Sequence, residues 1–274
     1  MEKVLEELGE FKFKHSLGQN FITDTNLLAA IVGDSGTTSE SEVLEIGAGA
    51  GTLTRQIAKV AKKVVSYEVD KDLTNVLTKL ESETPNLKVV FNDVMKVPLE
   101  QIEEQFEGKY NLVANLPYYI TTPILFKFLC SKKINSICVM VQKEVAERMV
   151  AKPDTKDYGT ITPIIDFYGN ARITRIVSRN MFTPAPNVDS AIVTITFNNK
   201  YECDDEAFKK VVHSAFAMRR KTLVNNLMKS FNVSRGVVEG ILTQCGLDVS
   251  VRGEKLSTES FVRIATKFKE ENLC

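Results

Sequence analysis

Short apolar runs alternate with helical patterns along most of the chain. The runs predict buried strands at residues 41–46, 63–69, 87–92, 110–114 and 136–141. The segments between them carry apolar residues at helical spacing, for example Leu73, Val76, Leu77 and Leu80. Strands that alternate with helices are typical of a parallel sheet covered on both faces. We therefore predict an α/β fold with a Rossmann-like sheet.

Other elements are expected around this sheet. Asp24 is a candidate N-cap for a helix that Gly33 closes. Residues 123–129 and 142–149 follow helical patterns, and residues 172–177 and 191–197 alternate like paired strands. Residues 158–167 fit a helix and a strand equally well.

The last quarter of the chain follows only helical patterns. The polar stretch 198–205 precedes it and resembles a domain boundary. Apolar residues then recur at helical spacing from Phe208 and from Val237, and Ser257 caps a final helix with Phe261 on its buried face. We predict two domains, residues 1–199 with the sheet and residues 200–274 as a small all-helical domain.

The composition is that of a globular protein, with 43% hydrophobic and 26% charged residues among 274. The N-terminus has no apolar run long enough for a signal peptide or membrane span, so we expect a cytoplasmic protein without membrane association. The five cysteines are scattered and lack CxxC spacing, which indicates free thiols. With only two histidines, His15 and His213, we expect no metal centre.

The net charge is zero, but the basic residues are unevenly distributed. Residues 206–235 carry seven cations and one acid, and three of the cations, Arg219, Arg220 and Lys221, are consecutive. A solvated helix start explains these three, and so does contact with the phosphates of a nucleic acid. We favour the phosphate contact, since amides beside the cations offer further hydrogen bonds.

A glycine-rich turn follows the first predicted strand. Gly47, Gly49 and Gly51 are spaced by single residues, and Thr52 stands where a dinucleotide-binding fingerprint requires glycine. The pattern is similar to the first motif of S-adenosylmethionine-dependent methyltransferases. The predicted helix that follows buries Leu53, Ile57, Val60 and Ala61.

Polar residues also end the next three predicted strands. Glu68 ends the second strand, where a carboxylate grips ribose hydroxyls, and Asp93 follows the third, where it can accept a hydrogen bond from an adenine amine. Asn115 ends the fourth. Because ligands of doubly wound sheets lie outside the carboxyl ends of the strands, these residues should converge on one crevice with Gly47.

The segment from Asn115 to Tyr118, Asn-Leu-Pro-Tyr, suits a bound adenine amine. The Asn115 side-chain oxygen and the Leu116 carbonyl can accept its hydrogens, Pro117 fixes φ, and Tyr118 can stack on the purine. Taken alone, the segment is better explained as a strand terminator. Phe182 leads a proline-stiffened loop, which serves either as a rigid hairpin connection or to stack on the adenine opposite Tyr118.

Six segments together resemble the ribosomal RNA adenine N6,N6-dimethyltransferase family, specifically its small-subunit, kasugamycin-sensitivity branch. They are residues 17–21, 45–51, 115–119, 142–148, 182–190 and 219–223. The resemblance implies S-adenosylmethionine as the cofactor and a site formed by Asn20, Ile22, Gly47, Gly49, Glu68, Asp93 and Asn115. The family usually has leucine in place of Ile22.

The resemblance also implies the substrate and the reaction. In this family two adjacent adenosines in a hairpin loop near the 3′ end of small-subunit rRNA are dimethylated at N6 during subunit assembly. Asn115, Leu116, Pro117, Tyr118 and Phe182 would hold the adenine while its amine attacks the methyl group directly, without a general base. We expect the small ribosomal subunit and its rRNA as partners, no DNA, and a monomer.

Two alternatives remain at this point. The antibiotic-resistance branch methylates one adenine of large-subunit rRNA with a similar first domain. A non-catalytic assembly factor could instead retain the fold and bind the immature small subunit. The segments 119–123 and 219–223 favour the small-subunit branch, and the intact Asn115–Tyr118 segment favours catalysis.

Overall fold

The computed structural model describes Lys14, residues 18–198 and residues 200–274. His15, Leu17 of the first resembling segment and residue 199, the predicted domain end, lie outside this range. The described chain packs into two compact units. The first comprises the described residues up to Ala146 together with Arg172–Phe197, and the second comprises Glu147–Ala171 and Asn198–Cys274.

One twisted sheet forms the centre of the first unit. Its strands are β2 Glu42–Ile46, β3 Lys63–Glu68, β4 Leu87–Phe91, β5 Tyr110–Asn115, β6 Ile134–Gln142, β7 Gly169–Val177 and β9 Ser190–Phe197. They follow the order β4-β3-β2-β5-β6-β9-β7 across the sheet. Neighbouring strands from β4 to β6 are parallel, whereas β9 runs antiparallel to β6. This sheet confirms the predicted fold class.

A separate two-stranded sheet joins distant parts of the chain. β1 (Phe21–Ile22) pairs antiparallel with β8 (Phe182–Thr183), so that Ile22 faces Phe182 in the ladder. Two-residue strands carry too short a pattern to be predicted from sequence. We call Gly18–Ile22 the N-terminal arm.

Helices accompany the sheet of the first unit. They are Thr25–Asp34, Thr52–Ala58, Thr74–Glu83, Leu99–Glu103 and Thr121–Leu129, and Lys143–Met149 leads into the second unit. Asp24 caps the first of them, because its carboxylate accepts a hydrogen bond from the Leu27 N–H at 2.8 Å. Two predictions about these helices were wrong: the first continues past Gly33 to Asp34, and Val60 lies beyond the second and is 39% exposed.

The second unit is helical. Its helices are Ile161–Tyr168, Asp205–Phe216, Leu223–Phe231, Arg235–Gln244 and Thr258–Glu270. Ser257 caps the last helix as predicted, and Phe261 on that helix is fully buried. Residues 158–167, which fitted two elements equally, lie mostly in a helix. None of the helices in the described part of the chain is both long and apolar enough to cross a membrane.

The units do not follow the predicted boundary throughout. The chain enters the second unit after Phe197, close to the predicted break, but Glu147–Ala171 also packs there. The Tyr158 hydroxyl donates to the Leu256 carbonyl at 2.7 Å, and the Phe167 ring stacks on Phe208 with centroids 4.1 Å apart. These contacts join positions about 100 and 40 residues apart, so a local pattern could not reveal them.

The strand order changes direction between β2 and β5. β2 continues outward through β3 and β4, whereas β5 continues through β6 on the other side. Ligands of doubly wound sheets bind outside the carboxyl ends of the strands at such a switch point. Gly47 follows β2 and Asn115 ends β5, so the fold brings two of the predicted site residues to this point.

Candidate functional site

A cavity of 590 Å³ opens at the carboxyl ends of β2 to β5. This volume is in the range of small-molecule sites. The structure brings together here the residues predicted at the strand ends and in the arm: Asn20, Ile22, Gly47, Gly49, Glu68, Asp93 and Asn115 all line the cavity. Pro117 lines it too.

The glycine turn forms the floor of the cavity and depends on unusual backbone angles. Gly47, Gly49 and Gly51 have φ of 81°, 55° and 75°, in the left-handed region that side chains disfavour. The Gly47 N–H donates to the Tyr67 carbonyl at 2.8 Å, which fastens the turn to β3. A Cβ atom on Gly49 would lie 2.9 Å from the Phe21 ring, so the arm packs directly on this turn.

The Glu68 carboxylate is held in place by backbone donors. It accepts hydrogen bonds from the N–H groups of Gly49, Val69 and Asp70, each at 2.8 Å. Burial raises the pKa of this carboxyl, and the three bonds partly oppose that rise. A carboxylate has about four acceptor positions, so one remains for a ligand hydroxyl.

Asp93 lies at the other side of the cavity in a tight turn after β4. Its carboxylate accepts from the Met95 N–H at 3.0 Å and lies 3.7 Å from the Lys96 ammonium. The turn keeps the side chain at the cavity wall, where it can accept a hydrogen bond from a ligand amine.

The Asn115 side chain is oriented by the arm. Its Nδ2 donates to the Asn20 carbonyl at 3.0 Å. This bond orients the amide and uses one of its two N–H donors, and Oδ1 is the acceptor that this side chain can offer to a ligand. The Asn20 side chain in turn donates to the Gly18 carbonyl at 3.1 Å, which steadies the arm.

The residues after Asn115 form a turn before the next helix. Leu116 is buried, and its N–H donates to the Met140 carbonyl on β6 at 3.2 Å. The Pro117 carbonyl accepts from the Ile120 N–H at 3.2 Å and from the Thr121 hydroxyl at 3.1 Å. These bonds leave the Leu116 carbonyl without a hydrogen bond to any described residue, so it remains an acceptor for a ligand.

Tyr118 is fixed by β9 and lies outside the cavity lining. Its hydroxyl and that of Ser190 are hydrogen bonded at 2.7 Å, and the side chain is half-buried. Burial raises the pKa of the Tyr118 phenol, and the Ser190 hydroxyl only partly opposes this. The phenol is therefore neutral at physiological pH, and the hydrogen bond to Ser190 fixes the position of its ring.

Phe182 lies outside the cavity lining in this structure. It is 4% exposed and belongs to the hydrophobic core with Ile22, Leu28 and Met140. It pairs with Ile22 of the arm in the two-stranded ladder. Its stacking on an adenine opposite Tyr118 stays a prediction.

Gln19 and Tyr119 are among the cavity residues that sequence reasoning did not assign to the site. Both line the cavity, and Tyr119 is 61% exposed, which is unusual for a large aromatic residue. Gln19 precedes Asn20 and Tyr119 follows Tyr118, so their position beside predicted site residues was the sequence feature that could have identified them.

Glu45 is a buried acid beneath the glycine turn. It is fully buried, and one carboxylate oxygen, Oε2, accepts from the Thr54 and Ser66 hydroxyls at 2.6 and 2.7 Å. The other oxygen has no hydrogen-bond partner among the described residues. Burial raises the pKa of Glu45 to about 7, and the nearby Glu68 adds to the rise.

The three consecutive cations lie in the second unit, between two helices. Arg219 Nη2 donates to the carbonyls of Lys156 and Tyr158 at 3.3 and 3.2 Å. A helix start was one of the two explanations of these cations, but the helix begins only at Leu223, after the N-cap Thr222. Arg220 and Lys221 are exposed. Arg219 therefore has a structural contact, whereas the other two present their charges to solvent.

The cavity suits a ligand that carries an adenosine and a charged, phosphate-free tail. Left-handed glycines let the ligand approach the backbone, Glu68 keeps an acceptor for ribose, and Asp93 keeps one for an adenine amine. These residues fit S-adenosylmethionine. Beside them, the Asn115 amide oxygen and the Leu116 carbonyl form a second polar group that can hold an amine.

Comparison with known proteins agrees with this fit. A family described as "Ribosomal RNA adenine dimethylase" matches residues 10–270. Proteins named "Ribosomal RNA small subunit methyltransferase A" from Bacillus mycoides (strain KBAB4) and Bacillus cereus (strain B4264) are each 45% identical to the chain over 272 residues. The alignments cover 96% of this chain and 93% of each relative.

Solved structures show the same fold. A dimethyladenosine transferase from Plasmodium falciparum superposes with a TM-score of 0.79 and 24% identity, covering 92% of this chain and 98% of that one. The 23S rRNA methyltransferase ErmE superposes with a TM-score of 0.68 and 26% identity, covering 91% of this chain and all of that one, 100%.

Proposed function

Because this chain belongs to the ribosomal RNA adenine dimethylase family, we propose that it dimethylates adenine N6 in small-subunit rRNA. It is an S-adenosylmethionine-dependent methyltransferase. The substrate that we propose is the pair of adjacent adenosines in the hairpin loop near the 3′ end of that RNA. A loop base has little pairing or stacking to lose when it enters a pocket.

The cofactor would be held by the residues at the strand ends. Glu68 would accept a hydrogen bond from the ribose of the cofactor, and Asp93 would accept one from its adenine amine. The turn at Gly47 and Gly49 lets the cofactor approach the protein backbone closely. When bound, S-adenosylmethionine supplies an electrophilic methyl group on a sulfonium sulfur. The chain's contribution is to orient this ligand and to exclude water from the cavity.

The orientation of Asn115 is the main support for adenine N6 as the methyl acceptor. Its Nδ2 donates to the Asn20 carbonyl at 3.0 Å, which leaves Oδ1 as the acceptor that this side chain would offer to the target amine. An adenine amine is a poor nucleophile, because its lone pair is delocalised into the ring. Acceptors at Asn115 Oδ1 and the Leu116 carbonyl would draw its hydrogens and favour tetrahedral geometry at N6. Orientation and electrostatics then provide most of the rate.

Substitution of Asn115 tests this assignment. We expect Asn115→Ala to lower kcat for methyl transfer by roughly 100- to 1,000-fold, the loss typical of one positioned polar group. The affinity for S-adenosylhomocysteine, measured by calorimetry, should change far less. Asn75→Ala, on an exposed helix position of the same unit, is the matched control. Full activity of Asn115→Ala would contradict the assignment.

The small subunit is favoured over the large one by degree of similarity. The relatives named for the small subunit are 45% identical to the chain, whereas the large-subunit enzyme ErmE is 26% identical.

We propose that the exposed Arg220 and Lys221 contact RNA phosphates, with Arg219 contributing beside its structural bonds. We also propose that the protein acts in the cytoplasm, where ribosomal subunits are assembled, and that it is a monomer.

A further inference from the structure

Asp70 is a buried carboxylate beside the cofactor cavity. It lies two residues after Glu68 and is only 2% exposed. Its oxygens accept from the Lys14 ammonium at 2.5 Å, from Gln19 Nε2 at 2.6 Å and from the Asp72 N–H at 3.1 Å. A buried charge is tolerated only with such partners. Burial raises the pKa of Asp70, but the bonds from Lys14, Asp72 and Gln19 outweigh it and keep the pKa below its ordinary value.

Gln19 uses both ends of its amide in this contact. Its Nε2 donates to Asp70, and its Oε1 accepts from the Lys14 N–H at 2.7 Å. Gln19 also lines the cavity. The Gln19 side chain therefore connects the start of the arm to Asp70, two residues after the end of β3.

The rest of the arm is fastened at two other places. The Asn20 carbonyl accepts from Asn115, and Phe21 and Ile22 pair with β8. These contacts hold the arm from its middle onward, whereas Gln19 is the side chain that fastens its beginning to β3. Asp70 also donates its own N–H to Glu68 Oε1 at 2.8 Å, so the same residue touches the carboxylate proposed for ribose.

We propose that Gln19 and Asp70 form a latch that keeps the N-terminal arm closed over the cofactor cavity and thereby determines how tightly the cofactor is held. The proposal rests on the proposed function, since it takes S-adenosylmethionine as the ligand of this cavity. Gln19 and Asp70 are positioning residues: they act by holding the arm and Glu68 in place, and neither is needed to touch the reacting atoms.

The latch has a distinctive chemical sensitivity. In a Gln19→Glu variant a carboxylate replaces the donor that faces Asp70 at 2.6 Å. At pH 8 both groups are ionised and repel each other, which opens the latch. At lower pH the two carboxylates share a proton, because a like charge nearby raises a carboxyl pKa. A shared proton restores a hydrogen bond and closes the latch.

Other charged groups face the same place. Lys14 and Asp72 border Asp70, and Glu68 and Lys71 line the adjacent cavity wall. These groups are present in the wild-type protein and in the variant alike. The ratio of their affinities at each pH therefore isolates the Gln19–Asp70 pair.

The experiment measures S-adenosylhomocysteine binding to the full chain by calorimetry at pH 8 and pH 6. We expect Gln19→Glu to bind roughly 10- to 100-fold more weakly than wild type at pH 8, the effect of losing a charge-assisted hydrogen bond. At pH 6 the ratio should fall toward one. Gln19→Leu, which removes the bond without adding a charge, should weaken binding equally at both pH values. Gln101→Glu, on an exposed helix position, should change nothing.

The outcomes separate the latch from the proposed function. A Gln19→Glu to wild-type ratio that is the same at both pH values, or affinities unchanged in both Gln19 variants, would overturn the latch while leaving the cofactor assignment intact. Wild-type protein that binds no S-adenosylhomocysteine would overturn the proposed function and the latch with it. Thermal unfolding of each variant, recorded alongside, verifies that the protein tested is folded.

Discussion

At the scale of single residues, Gly49 links the cofactor turn to the arm. Its φ of 55° disfavours any side chain, and a Cβ there would lie 2.9 Å from the Phe21 ring. Phe21 is buried and held in a β-ladder, so the ring cannot easily move aside. The position therefore requires glycine for two independent reasons.

These two reasons can be separated by a matched substitution. Gly36 also has a left-handed φ, 69°, but a Cβ there would meet nothing within 4 Å. We expect Gly36→Ala to cost about 1–2 kcal/mol of unfolding free energy from backbone strain alone. Gly49→Ala should cost about 1–3 kcal/mol more, because it also overpacks the arm. Urea denaturation measures both; equal costs would show that the arm does not press on the turn.

Glu45 predicts a specific pH dependence of stability. Its pKa is about 7 in the folded protein, against an ordinary value of 4.5 in the unfolded chain. The folded state therefore binds the proton more tightly, and this stabilisation is present below about pH 4.5 and is lost as pH rises through about 7. Glu45→Gln removes the titrating group, so its unfolding free energy should not show this decrease as pH rises.

The corresponding measurement is the unfolding free energy of wild type and Glu45→Gln between pH 5 and pH 8. We expect the unfolding free energy of the variant, relative to that of wild type, to increase as pH rises, by at most about 3 kcal/mol. The nearby Glu68 titrates in both proteins, so it cancels in the difference. A difference that stays constant over this range would show that Glu45 is ionised throughout.

At the scale of secondary-structure elements, β9 positions the turn that follows β5. Ser190 begins β9 and is fully buried, and its hydroxyl lies 2.7 Å from that of Tyr118. Removing either hydroxyl leaves the other without this partner, whereas removing both avoids that penalty. We expect a coupling energy of about 1 kcal/mol in the double-mutant cycle of Tyr118→Phe and Ser190→Ala, measured by denaturation. A coupling near zero would mean that the contact does not constrain the turn.

The longer strands could be predicted from the sequence, whereas the two shortest could not. The ends of β2 to β5 follow from apolar runs, and polar residues at those ends were enough to predict a common crevice. β1 and β8 are two residues long and pair across about 160 positions of the chain, so no local pattern announces them. That pairing also explains why the sequence did not predict the burial of Phe182, since its surroundings depend on a distant segment.

Some boundaries were missed for a different reason. Arg219, Arg220 and Lys221 carry good helix propensity, but Thr222 accepts from the Asn225 N–H and starts the helix after them. Capping overrode propensity at this point. The Arg219 bonds to the carbonyls of Lys156 and Tyr158 also depend on tertiary structure, which a basic run in a sequence does not reveal.

At the scale of the whole molecule, the cofactor cavity and the basic residues belong to different units. The first unit supplies the cavity, the arm and the Asn115 segment. The second is helical and carries Arg220 and Lys221. Glu147–Ala171 packs with the second unit, so the chain crosses between the units three times, at about residues 146, 171 and 197. A cut at the predicted boundary would strip Tyr158 and Phe167 of their partners.

The dimethylation of adenine in small-subunit RNA can be tested directly on the ribosomal substrates. Labelled S-adenosylmethionine is supplied with unmethylated small subunits and, separately, with large-subunit RNA, and each RNA is then digested to identify the labelled nucleoside. We predict N6,N6-dimethyladenosine in the small-subunit sample alone. Label in the large-subunit RNA alone, or in neither sample, would show that the chain does not have this activity.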